Sequence, residues 1–263
     1  MATVLTASNF SIDTITFGKH KPNINGGFNI ELGVGSTTQE TLIQTPKMRA
    51  PFGIATDKTN PFKKSLDVSF QGIEGNASIK SFRTMAENVD NLAIDYALKN
   101  SKTFFKKELT REVIAEYYYS GIKLSKKEQY SDTFKIKLLF LKPNPEKNLP
   151  NGRYITSFWN TKGEEQSDIY LDKGDSVKAL IKPQMLWVAN KSFGITWVCT
   201  QVCVHKQQKV SGYAFKKTGD TDDEEEEIPE SDEETPAPVV KKAPIQVEDD
   251  EEEYEEEEVE VDA

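Results

Sequence analysis

The sequence predicts a mainly β protein: a small barrel interrupted by helices and followed by an acidic tail. Three observations carry this. Apolar residues alternate with polar ones over several short stretches. One segment has an apolar stripe at helical spacing. The charges are segregated along the chain.

Alternation is clearest where Phe134, Ile136, Leu138 and Phe140 interleave with Thr133, Lys135, Lys137 and Leu139. Period two marks a strand with one buried face, and it places Lys135 and Lys137 together on the open one. Val177, Ala179 and Ile181 interleave with Ser176, Lys178 and Lys182, with Leu180 breaking the polar side. Residues 153–160, 185–189 and 195–205 are rich in aromatic and β-branched residues and read as further strands. Residues 10–17 and 28–34 carry a weaker version of the signal, and 65–70 another. The helical stretch is Phe82, Met85, Ala86, Val89, Leu92, Ala93 and Tyr96, spaced by threes and fours. A shorter helix is expected around 109–118. Strands, a helical insertion at about 78–120 and strands again point to an oligonucleotide-binding (OB) barrel, the commonest small barrel that holds single strands.

The net charge of −10 hides two opposite parts. Residues 218–263 hold 23 of the 43 acidic residues and two of the 33 basic ones, which leaves 20 acidic and 31 basic residues in 1–217. The body is therefore +11 and the tail −21. The domain reading is a folded part, 1–217, and a tail, 218–263, with too little to bury and too much like charge to fold. No apolar run is long enough for a membrane helix, and the first residues lack the pattern of a secretory signal. Two cysteines fit a reducing compartment, so an intracellular, soluble protein without membrane association is expected.

Basic and aromatic residues are interleaved in the body, which has 25 aromatic side chains. Cations follow a phosphate backbone, and flat rings stack on unpaired bases whatever the sequence. On this basis Lys47, Arg49, Lys135, Lys137, Arg153, Lys178 and Lys182 are expected to contact phosphates. Phe52, Tyr154, Trp159, Trp187 and Trp197 are expected to stack on bases. Any one of these rings could equally serve the core, and any one lysine could be a solvated surface charge. The surplus of 11 positive charges is not something folding requires.

Catalytic and cofactor signatures are missing. Cys199, Cys203 and His205 have a metal-like spacing, but residues four apart on a strand are about 13 Å distant, too far for one zinc ion. Buried free cysteines are expected there instead. The glycine-rich stretches lack the Lys-Ser/Thr ending of a phosphate loop. No metal, cofactor or enzymatic activity is expected.

One family resembles this chain. The segment from Lys173-Gly174-Asp175-Ser176-Val177 through Trp187, then Lys191-Ser192-Phe193-Gly194-Ile195-Thr196-Trp197 and Thr200-Gln201-Val202, is similar to the single-stranded-DNA-binding proteins of short-tailed coliphages. Relatives of these occur in nucleocytoplasmic large DNA viruses, and residues 45–54 resemble that viral branch. The resemblance covers roughly the last 100 residues. It implies an OB fold, sequence-independent binding of single-stranded DNA and a homodimer. It also implies a tail that contacts replication proteins such as DNA polymerase and helicase or primase, at a host nuclear or cytoplasmic viral replication site. The ending Val261-Asp262-Ala263 departs from the aromatic terminus of the phage proteins. Two other readings stay open: an acidic-tailed, histone-chaperone-like protein, for which a basic body is unexpected, and an RNA-binding protein.

Overall fold

The strand pairings close a five-stranded ring. The computed structural model describes residues 2–23, 26–35, 40–147 and 149–207. In chain order the strands before the helices are β1 (Thr3–Thr6), β2 (Ile15–Pro22), β3 (Phe28–Val34), β4 (Thr41–Gln44), β5 (Met48–Arg49), β6 (Ile54–Thr56) and β7 (Lys64–Ser69). The helices α1 (Ala77–Lys99), α2 (Ser101–Phe105) and α3 (Arg111–Glu116) follow. Then come β8 (Tyr118–Tyr119), β9 (Ile122–Lys123), β10 (Thr133–Leu138), β11 (Phe140–Leu141), β12 (Arg153–Tyr154), β13 (Ser157–Asn160), β14 (Glu165–Gln166), β15 (Ser176–Ala189) and β16 (Ser192–His205).

Starting from β5, the order β5–β7–β10–β16–β15 returns to β5. All neighbours in the ring are antiparallel except β10 and β16, which run parallel. Taking 41–56 as the first strand, this is the order 1-2-3-5-4-1 of a Greek-key OB barrel. The first strand is bent rather than straight. Gln44 faces Leu180 and Met48 faces Val177, so three residues of this strand stand opposite two of β15. The extra residue is a bulge, and it falls at Pro46–Lys47, where proline has no N–H to give a ladder.

Period two worked because one face of each strand is inside. Phe134, Ile136 and Leu138 are buried while Lys135 and Lys137 are exposed. The expected single strand over 153–160 is two, β12 and β13, separated at Ile155–Thr156. The buried Thr156 hydroxyl holds the break: it accepts from the Leu139 N–H at 2.8 Å and donates to the Cys199 carbonyl at 2.7 Å. Leu139 likewise ends β10 before Phe140, which pairs in the separate β11–β12 ribbon.

Helix α1 begins where Asn76 accepts hydrogen bonds from the N–H groups of Ser78 and Ile79, a cap worth about 1 kcal/mol. Its buried stripe runs Ile79, Phe82, Met85, Ala86, Val89, Ala93 and Ala97. Phe82 meets Phe134 edge-on, with ring centroids 5.2 Å apart, so the helix packs onto the barrel core behind β10. Removing that ring would cost about 3–5 kcal/mol. The outer halves of β15 and β16 leave the barrel, and β3 pairs with β15 there. Phe17 of β2 then stacks on Tyr96 of α1, tying this extension to the helix.

Among the described residues, no helix is long and apolar enough to cross a membrane. The tail reading falls on 218–263, outside the described residues.

Candidate nucleic-acid interface

Sheet register decides which cations share a surface. Lys135 pairs with Asp67, Lys137 with Ser65, and Arg49 with Ser69. Arg49, Lys135 and Lys137 are exposed, opposite in direction to the buried Met48 and Ile136, whereas their strand partners Asp67 and Ser69 are covered. Lys123 of β9 reaches over the same face and places its Nζ 3.1 Å from Asp67 Oδ2. Asp67 is the only acidic residue on β5, β7 and β10; its Oδ2 is paired with Lys123, while its Oδ1 is buried without a hydrogen-bond partner. Arg49, Lys135 and Lys137 are therefore the exposed charges of these strands, beside one covered carboxylate that is bonded to Lys123.

This cationic line runs toward a cluster of half-buried rings. Lys64 stands opposite Leu138, and Phe140 lies just beyond. The loop between β6 and β7 is shaped by Asp57, whose Oδ1 accepts from Thr59 Oγ1 at 2.7 Å, Asn60 N at 2.9 Å and Thr59 N at 3.0 Å. Those bonds, the Thr59 hydroxyl foremost, hold the Asp57 carboxyl below the usual carboxylate range. The loop delivers Phe62 onto Phe140, nearly parallel at 14° with centroids 6.3 Å apart. Tyr154 meets Phe140 edge-on at 4.9 Å. Lys64 Nζ lies 5.8 Å from the Phe140 centroid and Lys142 Nζ 5.9 Å from that of Phe62. Burial, with Asp168 adding to it, pushes the Tyr154 phenol up to about 12, so it stays neutral at physiological pH.

The expected residues divide. Arg49, Lys135 and Lys137 share the strand face. Arg153 is exposed and Tyr154 half-buried at the ring cluster. Phe52 is 57% exposed in the turn between β5 and β6. Lys47 and Lys178 line a separate groove beside the start of α1. Lys182 is ion-paired with Glu40, so its charge is taken. Trp159 is half-buried on β13, its indole N–H donating to Ser157 Oγ at 2.8 Å. Trp187 is half-buried on the outer part of β15, 6.1 Å from the exposed Tyr119 ring. Trp197 is a correction: it is 2% exposed, edge-on to Phe134 at 5.3 Å, and no base can reach its faces.

The cysteines also part. A register shift between Leu180 and Ile181 leaves Gln201 opposite the first and Cys199 opposite the second. Thr200 is thus an extra residue, and Cys199 is fully buried whereas Cys203 is only half-buried. Burial pushes the Cys199 thiol up to about 12, which keeps it protonated and inert.

Sequence reasoning missed Lys123, Phe62, Lys64, Phe140 and Lys142. The available signal was the adjacency in Phe62-Lys63-Lys64 and Phe140-Leu141-Lys142.

A family model described as a family of unknown function (DUF5871) matches residues 67–217. No curated protein matches. Among solved structures, the chain is similar to gp2.5, a single-stranded DNA binding protein encoded by bacteriophage T7. The identity is 12% and the TM-score 0.42, over 67% of this chain and 98% of that one. It is also similar to the single-stranded DNA-binding protein of bacteriophage Enc34. The C-terminally truncated form matches at 13% identity and TM-score 0.35, over 76% of this chain and 99% of that one. The form in complex with ssDNA matches at 14% and 0.34, over 73% and 97%. At such scores the barrel assignment stands on the strand order described above.

Proposed function

The chain belongs to this family of unknown function, DUF5871, and we propose that it is a non-catalytic, sequence-independent single-stranded-DNA-binding protein. One observation carries the reading. The exposed face of β5, β7 and β10 holds Arg49, Lys135 and Lys137, its one carboxylate is paired with Lys123, and it leads to the rings of Phe62, Phe140 and Tyr154. The face of the second and third strands and the loop between the first and second are where OB barrels hold oligonucleotides. Lysine and arginine neutralise successive phosphates and release counterions. The half-exposed rings give bases a surface to stack on, for about 1–3 kcal/mol each. Phosphate contacts and ring stacking do not discriminate between bases, so binding is independent of sequence.

The acidic residues 218–263 act in this reading as an intramolecular competitor for the same cations. Tethering such a polyanion to the same chain gives an effective concentration around the millimolar scale. DNA displaces the tail, which then recruits replication proteins such as a DNA polymerase, helicase or primase. Homodimer formation, action at a viral replication site and kinship with large-DNA-virus proteins belong to the same proposal, and rest on the motif resemblance at 45–54 and 173–202.

Fluorescence titration with poly-dT at several salt concentrations tests the reading, on the full chain and on a chain ending at Lys217. Expected are salt-dependent binding, tighter binding without the tail at low salt, and preference for poly-dT over poly-U. Absence of binding by both chains sinks the proposal. Equal affinity of the two chains removes the tail's role alone.

A further inference from the structure

Two of the lysines expected on the DNA path lie elsewhere, in an arrangement that the strand face does not explain. The bulge at Pro46–Lys47 sets Lys47 against Lys178 of β15. Like charges facing each other across a strand pair are destabilising unless something compensates them. Several lysines of this protein have such compensation: Lys21 pairs with Glu31, Lys102 with Glu108, Lys182 with Glu40, and Lys206 with Asp172 and Asp175. Among the described residues, neither Lys47 nor Lys178 forms an ion pair.

Both line one groove of about 500 Å³. Its walls include the side chains of Gln44, Ser78 and Ser81, all able to donate hydrogen bonds. The start of α1 borders the groove, but the Ser78 and Ile79 N–H groups already donate to Asn76 Oδ1. The positive character of the groove therefore comes from the lysines, not from the helix end. His205 lies near both lysines. It faces Ser176 across β15 and β16, two residues from Lys178. Burial first, and then Lys47 and Lys178, hold its imidazole below the ordinary histidine range. Its Nε2 is buried without a hydrogen-bond partner.

We propose that Lys47 and Lys178 form a phosphomonoester site, in which one dianionic phosphate group sits between the two ammonium groups, away from the β5–β7–β10 face. A phosphomonoester carries about −1.5 to −2 charges near pH 7, which matches two cations that have no counterion of their own. Charge-assisted hydrogen bonds from both ammonium groups, supplemented by Gln44, Ser78 and Ser81, hold three oxygens at once. A backbone phosphodiester, with one charge and two ester links, fits this constellation less well than a terminal or free phosphate. The proposal does not depend on the DNA-binding reading.

Its test needs no DNA. The full chain has two histidines, and the imidazole resonance of His205 is followed against pH by NMR. The probes are inorganic phosphate and thymidine 5′-monophosphate, each against chloride at matched ionic strength. A bound dianion lowers the positive potential at His205, so its titration midpoint should move up toward the ordinary histidine value, and the thermal midpoint should rise. The double variant Lys47→Met, Lys178→Met should start with the higher midpoint and lose both responses, while Lys135→Ala, Lys137→Ala should keep them. Response to both probes assigns the shared phosphomonoester group, and response to inorganic phosphate alone assigns free phosphate as the ligand. No response to either probe overturns the proposal, as does an undiminished response in the Lys47→Met, Lys178→Met chain.

Discussion

Replacing Lys135 and Lys137 together by alanine isolates the electrostatic part of DNA binding. Both side chains are exposed on the outer face of β10, and neither has an ion-pair partner among the described residues. Their loss should therefore leave the fold within about 0.5 kcal/mol of its original stability. Suppose that five cations (Arg49, Lys64, Lys135, Lys137 and Arg153) each neutralise one phosphate. The slope of log affinity against log salt is then about −3.5, at roughly 0.7 per phosphate on a single strand. Raising salt from about 50 to 200 mM weakens such a complex by about 130-fold. Without Lys135 and Lys137 the slope is about −2.1, and the same change weakens binding by only about 18-fold. The assay is tryptophan or labelled-oligonucleotide fluorescence with dT oligomers at four or more salt concentrations, alongside thermal unfolding. Parallel salt plots for the two proteins would show that these lysines touch no phosphate, and the strand-face argument would fall with them.

Three further outcomes are expected. Lys182→Ala should leave the salt slope within error of the original, because Glu40 already holds that charge; a slope change as large as one phosphate contact would contradict this. Phe62→Ala with Phe140→Ala should weaken dT binding by about 1–3 kcal/mol per lost stack at an unchanged slope, and unaltered affinity would remove the rings from the site. Asp90 of α1 accepts hydrogen bonds from Tyr118 and Ser120, yet burial outweighs these bonds and raises its carboxyl from 3.8 to about 6. Its protonated form thus favours the fold below about pH 4, and that contribution fades as pH rises through 6. Between pH 5 and 8 the loss is on the order of 1 kcal/mol, so urea unfolding of Asp90→Asn should show a flatter dependence over that range. Identical pH dependences in the two proteins would refute the assignment.

Much of the site was legible in single residues and little of it in their grouping. Lys135 and Lys137 were readable because both lie two apart on one strand, where the pleat alone settles that they share a face. Arg49 joins them only through pairing of Met48–Arg49 with β15 and β7. Phe62 and Phe140 are far apart in the chain, and the Asp57 loop and the break at Leu139 bring them together. Trp197 misled because strand alternation shows that one face is inside without showing which. Its neighbour Phe134 supplies the answer, since the two rings meet in the core.

By itself the sequence determined the strand pattern, the amphipathic stripe of α1 and the split between a basic body and an acidic tail. These depend on spacing of two, three or four residues and on local composition, which the chain carries openly. Only the tertiary structure decided the barrel order, the bulge that sets Lys47 against Lys178, and the pairing of Lys182 with a glutamate 142 residues away. Those outcomes rest on register and loop closure between distant segments, where a shift of one residue turns every side chain to the opposite face.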